Sequence, residues 1–146
     1  MTNPNVGTID PRRFAITLGS IIVTGVARGS FIEIEPSGDA FEVVTGADGT
    51  TERYAKHMNQ ANIKLTLLAT SPTNKLLSQL HKQDKESNTG KVPFLAKDLN
   101  SDETGASFAQ AWIQKAPTLS AADTAVTREW LIQTGPGEIN YGASVL

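Results

Sequence analysis

Phe31-Ile32-Glu33-Ile34-Glu35 and Ile63-Lys64-Leu65-Thr66-Leu67 are the two stretches that decide the fold. Successive side chains of a strand point to opposite faces. The first stretch therefore sends Ile32 and Ile34 one way and Phe31, Glu33 and Glu35 the other. The second puts an apolar residue at every second place. A sheet patterned like this has one dry face and one wet face, as antiparallel sheets packed on a single side do.

Moving outward, residues 14–18 alternate Phe14, Ile16 and Leu18 against Ala15 and Thr17, a first strand. Ile21-Ile22-Val23-Thr24 is β-branched throughout and reads as a second. Phe41-Glu42-Val43-Val44 and residues 51–54 flank Thr45-Gly46-Ala47-Asp48-Gly49-Thr50, where an Asp-Gly pair predicts a hairpin turn. Residues 92–96, 107–115 and 127–134 read as further strands, joined by polar loops such as 100–105. One helix is expected over about residues 72–86. Ser71 can cap it, Pro72 suits its first position, and Leu76, Leu77 and Leu80 give an apolar stripe. Lys82 and Lys85 fall near its C-terminal end, and Gly90 closes the region. Roughly seven to nine short strands and one helix argue a mainly β chain: an antiparallel sandwich or half-barrel with a flanking helix.

The whole chain of 146 residues suits one domain. Its turn-rich start, about residues 1–12, reads as an extended N-terminal arm. The segment after Gly135-Pro136, about residues 137–146, reads as a C-terminal arm. Apolar residues make up 39% and charged residues 19%, with a formal net charge of -2, so there is no basic footprint for gripping nucleic acid. No cysteine is present, which excludes disulfides, thiolate metal sites and a cysteine nucleophile. Residues 1–11 lack the basic start and apolar run of a secretory signal. No stretch approaches the roughly 20 apolar residues of a membrane span, so no membrane insertion is expected.

Catalytic chemistry finds little to use. The two histidines, His57 and His81, have no carboxylates at metal-ligand spacing and no serine in a nucleophile elbow. Glu33 and Glu35 lie side by side on one strand, whereas a glycosidase pair must face each other across its substrate. They read as a solvated acidic strip that repels polyanions. The glycines of residues 25–29 and 46–49 match neither a dinucleotide fingerprint nor a phosphate loop. Trp112 and Trp130 read as core anchors or as anchors between subunits. No catalytic, cofactor or metal residue is assigned, and no enzymatic activity is expected.

Taken in order, several runs resemble the tail tube proteins of contractile-tailed bacteriophages. They are Gly29-Ser30-Phe31-Ile32-Glu33-Ile34, Gly46-Ala47-Asp48-Gly49 with Arg53, and residues 63–68 leading into Ser71-Pro72-Thr73-Asn74-Lys75-Leu76-Leu77. Ala109-Gln110-Ala111-Trp112-Ile113-Gln114-Lys115-Ala116-Pro117 and Arg128-Glu129-Trp130 complete the set. The resemblance spans roughly residues 13 to 142, with Arg28 standing where the family often carries an acid. It implies a structural virion protein, assembled in the host cytoplasm, whose copies form hexameric rings that stack into a hollow tube. The implied partners are the chain itself and the sheath, baseplate and tail terminator proteins. DNA would pass through the lumen without specific binding, with Glu33 and Glu35 facing it.

Two readings from other classes stay open. One is a small-molecule carrier with a β-barrel pocket. The other is a hydrolase using Glu33 or Glu35. Within the resemblance, a tube subunit of a related contractile secretion or injection machine is also open.

Overall fold

The computed structural model describes residues 14–57, 59–99 and 104–141. The expected N-terminal arm, residues 1–12, lies outside them. The elements run β1 (Phe14–Leu18), β2 (Ile21–Ile22), β3 (Ile32–Pro36), β4 (Phe41–Thr45), β5 (Thr51–Ala55) and β6 (Ala61–Leu68). The helix α1 (Thr73–Ser87) follows, then β7 (Val92–Asp98), β8 (Thr104–Lys115), β9 (Thr127–Thr134) and β10 (Gly137–Tyr141). Every pairing is antiparallel. The protein is mainly β, with one helix among the described residues, as its alternation predicts.

The main sheet follows the order β2-β1-β7-β8-β9-β6-β3, with β10 also paired to β8. β8 is the spine. One of its edges carries β7, and the other carries β9 over its second half and β10 over its first. The chain therefore runs β9 to β10 along a single neighbour, bending at Gly135-Pro136. At the restart, a Cβ on Gly137 would collide with the Phe108 ring and the Ser107 carbonyl, so only glycine lets the backbone come so close.

The sheet curls until its two ends meet. Val23 N–H donates to the Ile16 carbonyl at 2.9 Å, extending the β1–β2 pairing. A few residues on, Leu68 N–H donates to Gly25 O at 2.8 Å and Ala27 N–H donates to Thr66 O at 3.1 Å. Residues 23–27 thus join β1 to β6. Phe14 and Phe31, from opposite ends of the sheet, meet edge to face at 5.8 Å beside this join. The result is a barrel closed at one pole, filled by Ile16, Leu65, Phe94, Phe108, Trp130 and Ile132, among others.

α1 is docked by polar as well as apolar contacts. Ser71 Oγ accepts from Thr73 N–H at 3.3 Å and donates to the Thr24 carbonyl, while Thr24 N–H donates to Thr73 Oγ1 at 3.0 Å. The first bond satisfies the Thr73 N–H at the start of the helix, and the two to Thr24 hold the crossing segment in place. The Asn74 amide donates to Leu68 O at 2.9 Å and accepts from Trp130 Nε1 at 2.9 Å.

Several expectations shift. The helix spans 73–87, with Pro72 at the N-cap position and Asn88, in the left-handed region, at its C-cap in place of Gly90. Its buried side carries Thr73 and Leu77, with Leu80 partly buried, while Leu76 turns outward because it lies about 100° around the axis from Leu77. The second strand ends at Ile22, because Val23 and Thr24 already belong to the crossing segment. Phe31 packs on the core rather than beside Glu33 and Glu35, since it precedes the regular strand. The expected C-terminal arm is a paired strand through Tyr141, because β8 has an open edge to receive it; residues 142–146 lie outside the described part. β8 likewise begins at Thr104, inside the expected 100–105 loop.

The helix contact yields a quantitative expectation. Leu77 is 0% exposed and Leu76 44% exposed. Leu77→Ala should lower unfolding free energy by about 2–5 kcal/mol. Leu76→Ala should change it by less than about 0.5 kcal/mol. Urea titrations of dilute protein compare the two midpoints.

Candidate functional site

Side chains on the outward face of β3, β6 and β9 follow from strand alternation. Glu33 pairs across from Lys64 and Glu35 from Asn62, while Lys64 also stands opposite Leu131 and Asn62 opposite Gln133. Glu33, Glu35, Asn62, Lys64, Gln114 and Leu131 line an open groove of about 350 Å³. Ser30 Oγ donates to Glu33 Oε1 at 3.2 Å, and Lys64 Nζ lies 3.4 Å from Glu129. That ion pair is half exposed and adds little stability. With Glu33, Glu35 and Glu129 against Lys64, and with Lys115 opposite Leu131 at the β8 side, this face carries three acids and two cations.

The two tryptophans part company. Trp130 is buried and fastens β9 to α1 through Asn74. Trp112, flanked by inward Ala111 and Ile113, sits on the outer face opposite Gln133 and is half-buried. Glu33 and Glu35 share a strand face side by side, so they do not oppose each other across a cleft. His57 stands in the loop after β5 and His81 on α1. Among the described residues, no cluster of three or more His, Cys, Asp or Glu has metal-binding geometry. Large side chains fill the barrel interior. No helix among the described residues is long and apolar enough to cross a membrane.

β4 and β5 form a separate two-stranded sheet in which all residues are exposed. Phe41 (48%), Val43 (60%), Val44 (48%) and Tyr54 (46%) present large apolar surface to solvent. Such a hairpin gains nothing from a core and is held by its own contacts. Gly46 N–H donates to Thr50 O at 2.7 Å, and Thr50 N–H donates to Asp48 Oδ1 at 3.0 Å. Arg53 stacks over the Phe41 ring at 4.2 Å, and Lys56 Nζ meets Glu42 at 2.9 Å. The Thr50 amide holds the Asp48 carboxyl below its ordinary value. The Lys56 hydrogen bond, then Tyr54, does the same for Glu42, and Glu42 raises Lys56 in turn.

Sequence reasoning identifies this hairpin by its turn but misses its isolation. The signal is Val43-Val44: adjacent apolar residues point to both faces, so neither face can be the wet side of a packed sheet.

The chain resembles proteins of tails and injection machines. It is 29% identical over 124 residues, 84% of this chain and 71% of the relative, to structural protein ORF10 of Pseudomonas phage KPP10. Its fold matches a chain of the anti-feeding prophage cap, the tube-terminating cap, with TM-score 0.65 and 13% identity over 97% of both chains. It also matches a chain of the sheath/tube terminator of an extracellular contractile injection system, with TM-score 0.67 and 12% identity over 92% of this chain and 98% of that one. A chain of the sheath-tube complex of such a system matches with TM-score 0.59 and 11% identity over 92% of both. No protein-family model matches the sequence. The named relative is a structural protein, and none of these neighbours is described as an enzyme.

The hairpin contacts set a pH dependence. Asp48 and Glu42 have depressed pKa values, so the order they contribute is complete above the ordinary carboxylate range and is lost as pH falls through the depressed values. The raised Lys56 contributes below the ordinary lysine range and is lost as pH rises through its own value. The Thr50 amide resonance followed from pH 7 downward should move and broaden on acidification. Asp48→Ala should produce that shift at neutral pH. A Thr50 amide indifferent to both would contradict this assignment.

Proposed function

We propose that this chain is a structural virion protein: a subunit of a phage tail tube that joins its own copies into rings, with six per ring implied by the resemblance in its motifs. The observation that carries the reading is a barrel with unused pairing edges. Among the described residues, β3 pairs only with β6 and β10 only with β8. Such edges are a hazard in an isolated protein and an asset where a neighbouring copy completes them. Similarity to a phage structural protein and the shared fold of tube-associated chains support the same reading. Sheath, baseplate and terminator proteins are its proposed partners, and the virion tail its location.

In such a ring the acidic face suits the lumen. Phosphates are repelled by Glu33, Glu35 and Glu129, so DNA slides past without being held. The same architecture serves a tube subunit of a related contractile injection machine.

One observation favours a second reading, a terminator at the tube's end: the matches to terminator chains score 0.65 and 0.67 and the match to the sheath-tube complex 0.59.

Negative-stain microscopy and sedimentation velocity over a concentration series test the proposal. Rings or tubes should form as concentration rises. A strictly monomeric species at every concentration, even beside sheath and baseplate proteins, would overturn it. In assembled material, Glu33→Lys combined with Glu35→Lys should raise DNA retention by about tenfold at low salt, the gain fading as salt rises. Unchanged retention would remove these residues from the lumen.

A further inference from the structure

The outward face of β3, β6, β9 and β8 carries its charges in alternation. Glu33 on β3 stands directly across from Lys64 on β6, and Lys64 stands across from Leu131 on β9. On the far side of Leu131 comes Lys115 of β8. Strict alternation would turn Lys115 inward, because Ile113 is buried two residues before it. A bulge prevents this. Ile113 pairs with Ile132 and Lys115 with Leu131, so Gln114 and Lys115 share one partner and both stay exposed.

Two lysines therefore flank Leu131, about 10 Å apart across two strand spacings. That span covers about three phosphate steps of one DNA strand, at about 3.4 Å each along the axis. Left bare, the pair is a grip for a nucleic-acid backbone. Glu129, the next outward residue of β9, lies diagonal to both lysines. Its carboxylate is 3.4 Å from Lys64 Nζ, and it shares with Lys115 a groove of about 260 Å³ that Thr127 and Leu131 also line. Gln133, diagonal on the other side, carries no charge. Glu33 faces Lys64 in register, but its carboxylate takes the Ser30 hydroxyl at 3.2 Å. Stability does not account for the Lys64–Glu129 pair, since exposed ion pairs add little. Masking does. An ammonium held by a neighbouring carboxylate must give up that partner before it can displace counterions from phosphate.

We propose that Glu129 masks Lys64 and Lys115, and that this masking keeps a lysine-bearing face from holding DNA. The proposal rests on the lumen reading above and deepens it: passage without retention depends on one shared carboxylate as well as on acidity.

Dilute protein tests the masking apart from any ring. In fluorescence anisotropy with a short labelled DNA duplex at low salt, Glu129→Gln should bind about tenfold more tightly than wild type. The gain should fall with salt along a log–log slope of about −1.8, as two phosphate contacts require. Adding Lys64→Gln and Lys115→Gln to Glu129→Gln should restore wild-type binding. Glu86→Gln, which removes the same charge from α1, should change nothing. An equal gain from Glu86→Gln would reduce the effect to net charge and overturn the proposal. So would a gain that survives loss of both lysines, or folded Glu129→Gln protein that binds no better than wild type. The lumen reading fails separately: if Glu129→Gln unmasks the lysines in dilute protein while its assembled tubes retain no more DNA than wild-type tubes, the face lies outside the lumen and the masking stands.

Discussion

The join made by residues 23–27 is the constraint on which the rest of the structure depends. A one-sided sheet must hide its apolar face, and here it does so by curling until a single crossing segment bonds to β1 at one end and β6 at the other. Thr24 lies within that segment, and its backbone is held by Ser71 and Thr73 at the start of α1. Gly25, with φ +70°, lies so close to Ser71 that a side chain there would clash. Closing the barrel and docking the helix are therefore one event, and Trp130 fixes it from inside through Asn74.

The closure is partial, and its incompleteness is where function enters. At the sealed pole the crossing segment satisfies the backbone groups of β6. Toward the other pole, β3 has no second strand beside it among the described residues, β10 adds to β8 only the Gly137 N–H bond to Asn59 O at 3.0 Å, and the β4–β5 hairpin departs with no core of its own. Dispersed apolar residues are normal on a surface, but Phe41, Val43, Val44 and Tyr54 gathered on one thin hairpin are the apolar surface that the proposed assembly would cover. A self-sufficient core beside edges that are not is what the proposed tube subunit requires. The filled barrel interior and the side-by-side carboxylates of β3 agree with that description.

Much of the fold was legible in the sequence because period-two alternation reports burial directly. Ile63, Leu65 and Leu67 are inward as their spacing demands, and residues 127–134 form the strand their pattern predicts. What escaped depends on contacts distant in sequence. Phe31 looks like a companion of Glu33 until Phe14 arrives from the far end of the sheet to pack against it. Residues 137–141 look like an arm until the free half of β8 offers them a partner. Leu76 and Leu77 are equivalent to a hydrophobicity count, and only the docking direction of α1 separates them. Of the site, the acidic strip was readable from alternation, while the outward place of Lys115 was not, since a bulge in β8 breaks the period-two pattern.

Amide hydrogen exchange along β3 and β10 tests the central claim most directly, because it reads the free edges themselves. In dilute protein the outward amides of Ile32 and Ile34 in β3 and of Ile139 in β10 should exchange rapidly, and they should become protected as concentration drives assembly, while β6 amides stay protected throughout. Edge amides already protected in dilute monomer, or equally unprotected in concentrated protein, would contradict the account.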